Sequence, residues 1–438
     1  MKIYWEVYGC AANVADAEIA LGILRDRGHV IVSRPENADV LIIFTCVVKK
    51  PTSDRMLYRI SKLKGYGKKL VVAGCMVSGE PDKIRRAAPN AVMLHPRAIT
   101  KVWEAVENGA SVLEELEEMK LQHHRIRRNP IVSIIPVSEG CAWRLCSFCI
   151  VAKTRGTFRS YPIELIEQEA KRSLQEGVME IWLTSQDMGS YGIEHGKSML
   201  PRLISRIAGL SGLFFVRIGM MNPLYVYPIR RELAESYLSP KVFKFLHLPV
   251  QSGSNRVLRD MRRGYSVDTF KEILREMRFR IQNLTLSTDI IVGYPTEDES
   301  DFEETLRLVE EIRPDMINIS RFFARPGTPA EKLKPLDPGK VKERSKMLSM
   351  IAREIALRNN ERWIGWSGYA LVDEAGKRGE AIARNIFYRP IIIQNKPASE
   401  IFGKIIEVKI EEARPYCLMA RFKREVDPRE VQEALIAC

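Results

Sequence analysis

Cys141, Cys146 and Cys149 stand in a C-x(4)-C-x(2)-C run, VSEGCAWRLCSFCIVAKTRG, within a chain of 438 residues that carries eight cysteines. Three thiolates on one loop match three corners of a four-iron cluster and leave the fourth iron without a protein ligand. That open iron can chelate an amino and a carboxylate group. The competing readings are a zinc site short of one ligand and a set of free thiols. Zinc as a rule takes four ligands, and no His or further Cys adjoins the run to complete them. Cys10, Cys46 and Cys75 lie far apart in sequence but share one context, a turn after an apolar run (YGC, FTC, AGC). They read either as three small apolar residues at strand ends or as a second three-thiolate set. Cys417 reads as core, and the final residue, Cys438, as unliganded.

What those thiols can do depends on the compartment. The start, MKIYWEVYGC, lacks the basic and apolar regions and the cleavage site of a secretory signal, and no apolar run reaches membrane-spanning length. The expectation is a cytoplasmic chain with no membrane contact, whose reduced cysteines serve metals or catalysis. Lys and Arg outnumber Asp and Glu by 68 to 55, a net charge of +13. Such a balance favours an acidic partner such as RNA over a neutral metabolite, the alternative being a charge-rich surface that serves stability alone.

The elements that must position the cysteines follow from periodicity. The first hundred residues alternate apolar strands, Lys2–Tyr8, Val40–Thr45, Leu70–Ala73 and Ala91–Leu94, with helices Ala15–Arg27 and Pro81–Ala88. This β-α-β order requires parallel pairing and brings Cys10, Cys46 and Cys75 to one crevice at the carboxyl ends of the strands. Residues 107–129 turn polar and helical and end in the basic run KLQHHRIRRNP. Six further strands are expected at Val132–Val137, Glu180–Ser185, Phe214–Gly219, Val242–Leu248, Leu284–Val292 and Met316–Phe322, separated by helices such as Pro162–Glu176, Asn255–Arg280 and Ser300–Ile312. They make a partial (β/α)6 barrel with its working face at the strands' carboxyl ends. Trp363–Arg424 reads as a small β-barrel of a kind that binds nucleic acid. The expected fold is thus α/β, divided into residues 1–105, a basic linker 106–130, a barrel 131–360, a small β-barrel 361–426 and a tail 427–438.

With these motifs in place, the sequence resembles the radical S-adenosylmethionine methylthiotransferases over nearly its whole length. The carriers are YGCAANVADAE, FTCVV and VVAGCMV, then EGCAWRLCSFCIVAKTRG, LTSQDMGSYG, HLPVQSGSNRVLRDMRRGY, STDIIVGYPTEDESDF and FARPGTPA. The resemblance implies two 4Fe-4S clusters and S-adenosylmethionine as cofactors: Cys141, Cys146 and Cys149 hold the radical-generating cluster, and Cys10, Cys46 and Cys75 an auxiliary one. It implies that the first cluster cleaves S-adenosylmethionine to a radical that takes a substrate hydrogen, while the second carries the sulfur, and that Trp363–Arg424 is the family's TRAM domain. It places cofactor contacts at Ser185 and Gln186, with Arg217 and Gln251 at comparable strand ends; each could equally be a satisfied polar residue at a barrel rim. His247, within HLPVQSGS, reads as a hydrogen-bonding residue. The family's usual spacing is C-x(3)-C-x(2)-C, so Ala142–Leu145 put one extra residue in the loop.

Within the family the substrates are modified adenosines beside the tRNA anticodon or an aspartate of a ribosomal protein. Residues 361–425 hold 12 Lys/Arg against 9 Asp/Glu, and the linker adds Lys120, Arg125, Arg127 and Arg128. Phosphates suit such a surface, so tRNA is the expected partner, with Arg125, Arg127, Arg128 and Arg155 as substrate contacts. Lys153, Arg155 and Arg159 read either as anion contacts or as a solvated rim. Trp363, Trp366, Tyr369, Phe387 and Tyr388 read as base-stacking or as barrel core. The motif forms look most like the archaeal and eukaryotic branch that acts on threonylcarbamoyladenosine. The sequence names neither the sulfur donor nor the electron donor. A non-catalytic RNA-binding protein with structural metal is the remaining alternative.

Overall fold

A computed structural model of the protein describes residues 1–431; Cys438 and most of the tail lie outside the described residues. The chain begins with β1 (Lys2–Val7), α1 (Ala11–Asp26), β2 (Val30–Ile31), β3 (Val40–Thr45), α2 (Lys50–Lys64), β4 (Lys69–Gly74), α3 (Cys75–Gly79), α4 (Pro81–Ala87) and β5 (Val92–Leu94). The strands form one parallel sheet in the order β2-β1-β3-β4-β5. The central strand, VLIIFT, is buried at every position, as a parallel strand covered by helices on both faces must be. Apolar clusters fill the two sides of this sheet. The polar look of α2, KPTSDRMLYRISKLK, conceals a buried stripe of Met56, Ile60 and Leu63 at helical spacing, which explains why the sequence did not announce this helix.

The linker is not the helix that its polar pattern suggests. Beyond one turn at Glu104–Asn108 and another at Lys120–Gln122, it runs irregularly. It is held by pairing: Lys120 is buried between Asp16 and Glu139, 2.9 Å from each carboxylate. It crosses α1 at Gly22, where a Cβ would lie 1.9 Å from the His124 carbonyl oxygen.

The middle of the chain comprises β6 (Val132–Pro136), β7 (Ser138–Glu139), α5 (Val151–Thr154), β8 (Arg159–Ser160), α6 (Ile163–Gln175), β9 (Glu180–Thr184), α7 (Leu200–Ala208), β10 (Phe215–Ile218), α8 (Pro223–Val226), α9 (Arg230–Ser236), β11 (Phe245–His247), α10 (Asn255–Asp260), α11 (Val267–Arg280), β12 (Thr285–Val292), α12 (Glu299–Ile312) and β13 (Met316–Arg321). Two parallel three-stranded sheets, β10-β9-β6 and β11-β12-β13, meet at a bridge between Val216 and Val242. The six strands thus curve into an open barrel around one large apolar core. The helix expected over Asn255–Arg280 is two helices. Arg262 and Gly264 between them have φ of 56° and 75°, and the Ser266 hydroxyl accepts from the Thr269 amide to start α11.

After α13 (Pro338–Glu361), the chain closes a five-stranded barrel from β14 (Ser367–Ala375), β15 (Glu380–Asn385), β16 (Pro390–Pro397), α14 (Ala398–Ile401), β17 (Ile405–Arg414) and β18 (Cys417–Glu425). It docks on the amino ends of the large barrel's strands: the Lys244 amide donates to the Ile386 carbonyl and the Thr285 hydroxyl to that of Phe387. Tyr388 packs its ring 4.8 Å from Phe243 and 5.0 Å from Phe245. Trp363 lies in the small barrel's own core with Trp366 and Phe387 packed on it. These aromatic residues build core and interface. With the small barrel at one end, the carboxyl ends of β6 and β9–β13 open toward the amino-terminal sheet.

Candidate active site

Beyond β7 the chain runs from Cys141 to Cys149 without regular structure. Trp143 anchors this loop. Its indole N–H donates to the Arg262 carbonyl at 2.7 Å, and its ring lies where a Cβ on residue 264 would come within 2.9 Å, so glycine is required at that turn. Leu145, by contrast, is turned out to solvent. The additional residue between Cys141 and Cys146 is therefore taken up in an outward bend fixed at Trp143. Behind the loop, buried Arg263 donates from Nη1 to Cys146 Sγ at 3.2 Å. Burial pushes the Cys141 thiol up to about 12 and the Cys149 thiol up to about 11.

The second set follows from strand register. Val7, Phe44 and Ala73 are partners across β1, β3 and β4, and Thr45 pairs with Gly74. Cys46 and Cys75 come next in the chain and emerge side by side. The loop after β1 brings in Cys10: a Cβ on its neighbour Gly9 would lie 2.7 Å from Cys46 Cβ. The three thiols are close enough that Cys10 and Cys75 add to the effect of burial, which pushes Cys46 up to about 11. Arg155, fully buried, reaches across from the large barrel. Its Nε donates to Cys75 Sγ at 3.2 Å, and its Nη1 pairs with Asp16 at 2.5 Å.

The two sets are joined through packed helices, and the first set lines a cavity that the segment after Cys46 closes from the other side. The helix that starts at Cys75, α3, packs on α5, which follows Cys149; a Cβ on Gly79 would lie 3.1 Å from Thr154 and 3.3 Å from Ile150. Between the domains lies a cavity of about 610 Å³ lined by Cys141, Cys146, Cys149 and the barrel mouth on one side and by residues 48–51, directly after Cys46, on the other. Among the described residues no three His, Cys, Asp or Glu are gathered as ligands of one metal ion. A cluster requires each thiolate to reach its own iron, and two sets of three cysteines, each backed by a buried arginine, fit that demand. Bound metal would favour the thiolates over the protonated thiols that burial alone favours.

Gln186 and Gln251 line the cavity. Gln251 adopts φ 74°, a left-handed conformation in a non-glycine residue of the kind that clusters at functional sites. Ser185 is turned inward, its hydroxyl accepting from the Asp187 amide. Arg217 is not at the mouth. It points toward the small barrel, with its guanidinium over Trp182, Phe245 and Tyr388 at 4.7, 5.2 and 5.3 Å. His247 hydrogen-bonds Asp289 at 3.1 Å. Two of the three linker arginines, Arg125 and Arg127, are engaged by internal partners. Arg125 is 7% exposed and pairs with Glu169 at 2.8 Å; Arg127 reaches Glu176 and donates to Ser173; Arg128 is exposed, only its backbone amide donating to Glu18. Arg155 serves Cys75 and Asp16 and is not on the surface, Arg159 donates to the Glu117 carbonyl, and Lys153 is exposed.

Two site residues carried no signal of their own in the sequence. Asp187 sits in the cavity wall beside Gln186. Its Oδ1 accepts from the amides of Gly189 and Asn222, its Oδ2 is buried without a partner, and burial pushes its carboxyl up to about 7. Arg263 lies in MRRGY, where a cation beside a glycine turn reads as surface until tertiary packing buries it.

Comparison with known proteins bears on this geometry. Residues 2–95 match the uncharacterized protein family UPF0004, residues 135–309 the radical SAM superfamily and residues 369–423 the TRAM domain. A protein of Archaeoglobus fulgidus named probable threonylcarbamoyladenosine tRNA methylthiotransferase is 38% identical over 97% of this chain and 99% of its own length. A Homo sapiens protein named threonylcarbamoyladenosine tRNA methylthiotransferase is 34% identical over 94% of this chain and 72% of its own. In fold, the chain is similar to the radical S-adenosylmethionine methyltransferase TsrM of Kitasatospora setae, with a TM-score of 0.56 at 13% identity, over 75% of this chain and 74% of that one. No helix among the described residues is long and apolar enough to cross a membrane. Full-length likeness at this level, with all three domain types in order, places the chain in one family: it belongs to the radical S-adenosylmethionine methylthiotransferases.

Proposed function

We propose that this enzyme inserts a methylthio group at C2 of threonylcarbamoyladenosine beside the anticodon of tRNA, in the cytosol, using two 4Fe-4S clusters that face one cavity. The observation that carries this reading is the shared cavity: Cys141, Cys146 and Cys149 form one wall, and the segment after Cys46 forms the opposite one. When bound, the clusters and S-adenosylmethionine supply the radical and the sulfur needed to functionalise a carbon whose hydrogen no side chain could remove by acid–base chemistry.

The chain's own residues supply position, charge and dryness. Cys141, Cys146 and Cys149 would hold the cluster that binds S-adenosylmethionine, and Cys10, Cys46 and Cys75 the cluster that carries sulfur. Arg263 and Arg155 each place a fixed cation on one thiolate. Gln186, Gln251 and Asp187 present polar groups to a small ligand along the barrel mouth. Phe148, Ile150, Met221 and Ile290 add apolar walls that limit water in the same space. For tRNA, the exposed Lys409, Arg421 and Lys423 lie on adjoining strands of the small barrel, Lys409 opposite Arg421 in the β17–β18 register, and suit a phosphate backbone.

Nucleoside analysis of tRNA from cells with and without the gene tests the reading. The expected result is loss of the methylthiolated form and accumulation of threonylcarbamoyladenosine when the gene is absent. Unchanged tRNA nucleosides together with a missing modification on a ribosomal-protein aspartate would contradict it.

A further inference from the structure

Arg325 stands in FARPGTPA just after β13, 5% exposed, in the wall of the shared cavity. Seven arginines are buried among the described residues: Arg97, Arg125, Arg155, Arg263, Arg325, Arg344 and Arg389. Six of them donate at least one side-chain hydrogen bond, to Thr157, Ile134, Asp16, Cys146, Glu297 and Asp315 respectively. Arg325 donates none: its Nε is buried without a partner, and its Nη2 has only an ion-pair contact with the buried Glu80. The nearest carboxylate, Glu80, is 3.4 Å from Nη2 and is already engaged: its Oε2 accepts from Ser53 and its Oε1 from Lys83 at 2.8 Å. Buried donors are normally paired, and a guanidinium does not shed its charge to escape the cost.

The surroundings say what would complete it. Cations outnumber carboxylates along the cavity, with Lys49, Arg144, Arg263 and Arg321 beside Arg325 and only Asp187 and Asp289 opposed, and Asp289 is taken by His247 and Asn318. The missing partner is an anion small enough to enter, and a planar carboxylate matches the two-pronged donor face of arginine. Two carboxylates belong to the proposed reaction: that of S-adenosylmethionine and that of the threonyl substituent. Topology separates them. Gln186 and Asp187 follow β9, the second strand of the barrel, whereas Arg325 follows β13, the last, with three strands between them, and abuts Glu80 on the amino-terminal domain.

We propose that Arg325 receives the carboxylate of the threonylcarbamoyl group and so selects adenosines that carry this acidic substituent. The inference rests on the substrate proposed above. The test uses anaerobically reconstituted wild-type enzyme, R325Q and R325K with two anticodon stem–loop RNAs. One carries threonylcarbamoyladenosine, and the other carries the same nucleoside with its carboxylate capped as the methyl ester. Wild type should bind the acid roughly ten- to a hundredfold more tightly than the ester, the range for a hydrogen bond to a charged group. R325Q should bring the ratio close to one, R325K should keep part of it, and the affinity of R325Q for S-adenosylmethionine without RNA should match wild type. An acid-to-ester ratio in R325Q equal to that of wild type overturns the proposal, as does a weakened S-adenosylmethionine affinity with the ratio intact, which would assign Arg325 to the cofactor. Should R325Q lose its iron, the wild-type and R325K ratios decide, and a wild-type ratio of one is an overturning result. Failure of wild type to methylthiolate the acid RNA at all would instead contradict the substrate reading.

Discussion

Arg263 and Arg155 stand in equivalent relations to two different thiols, one donating to Cys146 and the other to Cys75 at the same 3.2 Å. A fixed positive charge and a hydrogen bond at a cluster sulfur favour the more negative, reduced form of that cluster. Replacing Arg263 by Met should therefore leave the iron bound at Cys141, Cys146 and Cys149, shift that cluster's midpoint potential to more negative values, and slow 5′-deoxyadenosine formation by roughly tenfold. Potentiometry followed by electron paramagnetic resonance checks this, and an unchanged potential would contradict it. At this scale spacing set Cys141, Cys146 and Cys149 apart, while turn context left Cys10, Cys46 and Cys75 open between strand-end core and a second set until the resemblance was drawn. The arginines were not legible. A charged side chain near a glycine or in a basic run reads as surface, and Arg125, Arg155 and Arg263 are buried by partners far along the chain: Glu169, Asp16 and Cys146.

Among the elements, the strands were the most legible because their apolar runs are short, dense and bounded by turns. Val40–Thr45 has the ends that its sequence suggests, and all six barrel strands lie within the runs that announced them. The polar segments misled: α2 hides its buried stripe, and the linker owes its path to the buried pairs of Lys120 with no helical repeat of its own. Arg217 shows the same limit, since its place in a strand was clear but not the end toward which its side chain turns. There, beneath the small barrel, Glu180 opens β9 with its carboxyl pushed up to about 8, first by burial and then by the neighbouring Asp373. In the unfolded chain it titrates near 4.5. Between those values the native state holds a proton that the unfolded state has lost, so this group's contribution to stability declines as pH rises from about 4.5 to about 8. E180Q carries no such proton. Its stability relative to wild type should grow through that window by at most about 1.4 kcal/mol per pH unit, measured by chemical denaturation. A difference that stays constant with pH would show that Glu180 is charged in the folded protein.

On the scale of the whole molecule, three units are stacked with the cavity at one junction and anchorage at the other. The small barrel closes the amino ends of the large barrel's strands, while the amino-terminal sheet presents the carboxyl ends of β1, β3 and β4 to the open mouth. Buried charges that cross this second junction, Arg155 with Asp16 and Lys120 with both Asp16 and Glu139, fix how the two cysteine sets face each other. Neither set borrows a ligand from the other, so their roles can be separated. The decisive measurement uses C10A/C46A/C75A, reconstituted anaerobically and given S-adenosylmethionine, a reductant and a threonylcarbamoyladenosine stem–loop. The account predicts about four irons per chain in place of about eight, formation of 5′-deoxyadenosine close to the wild-type amount, and no methylthio product. Methylthio product at near wild-type yield from this variant would contradict it, for Cys10, Cys46 and Cys75 would then be structural residues and not the sulfur-carrying site.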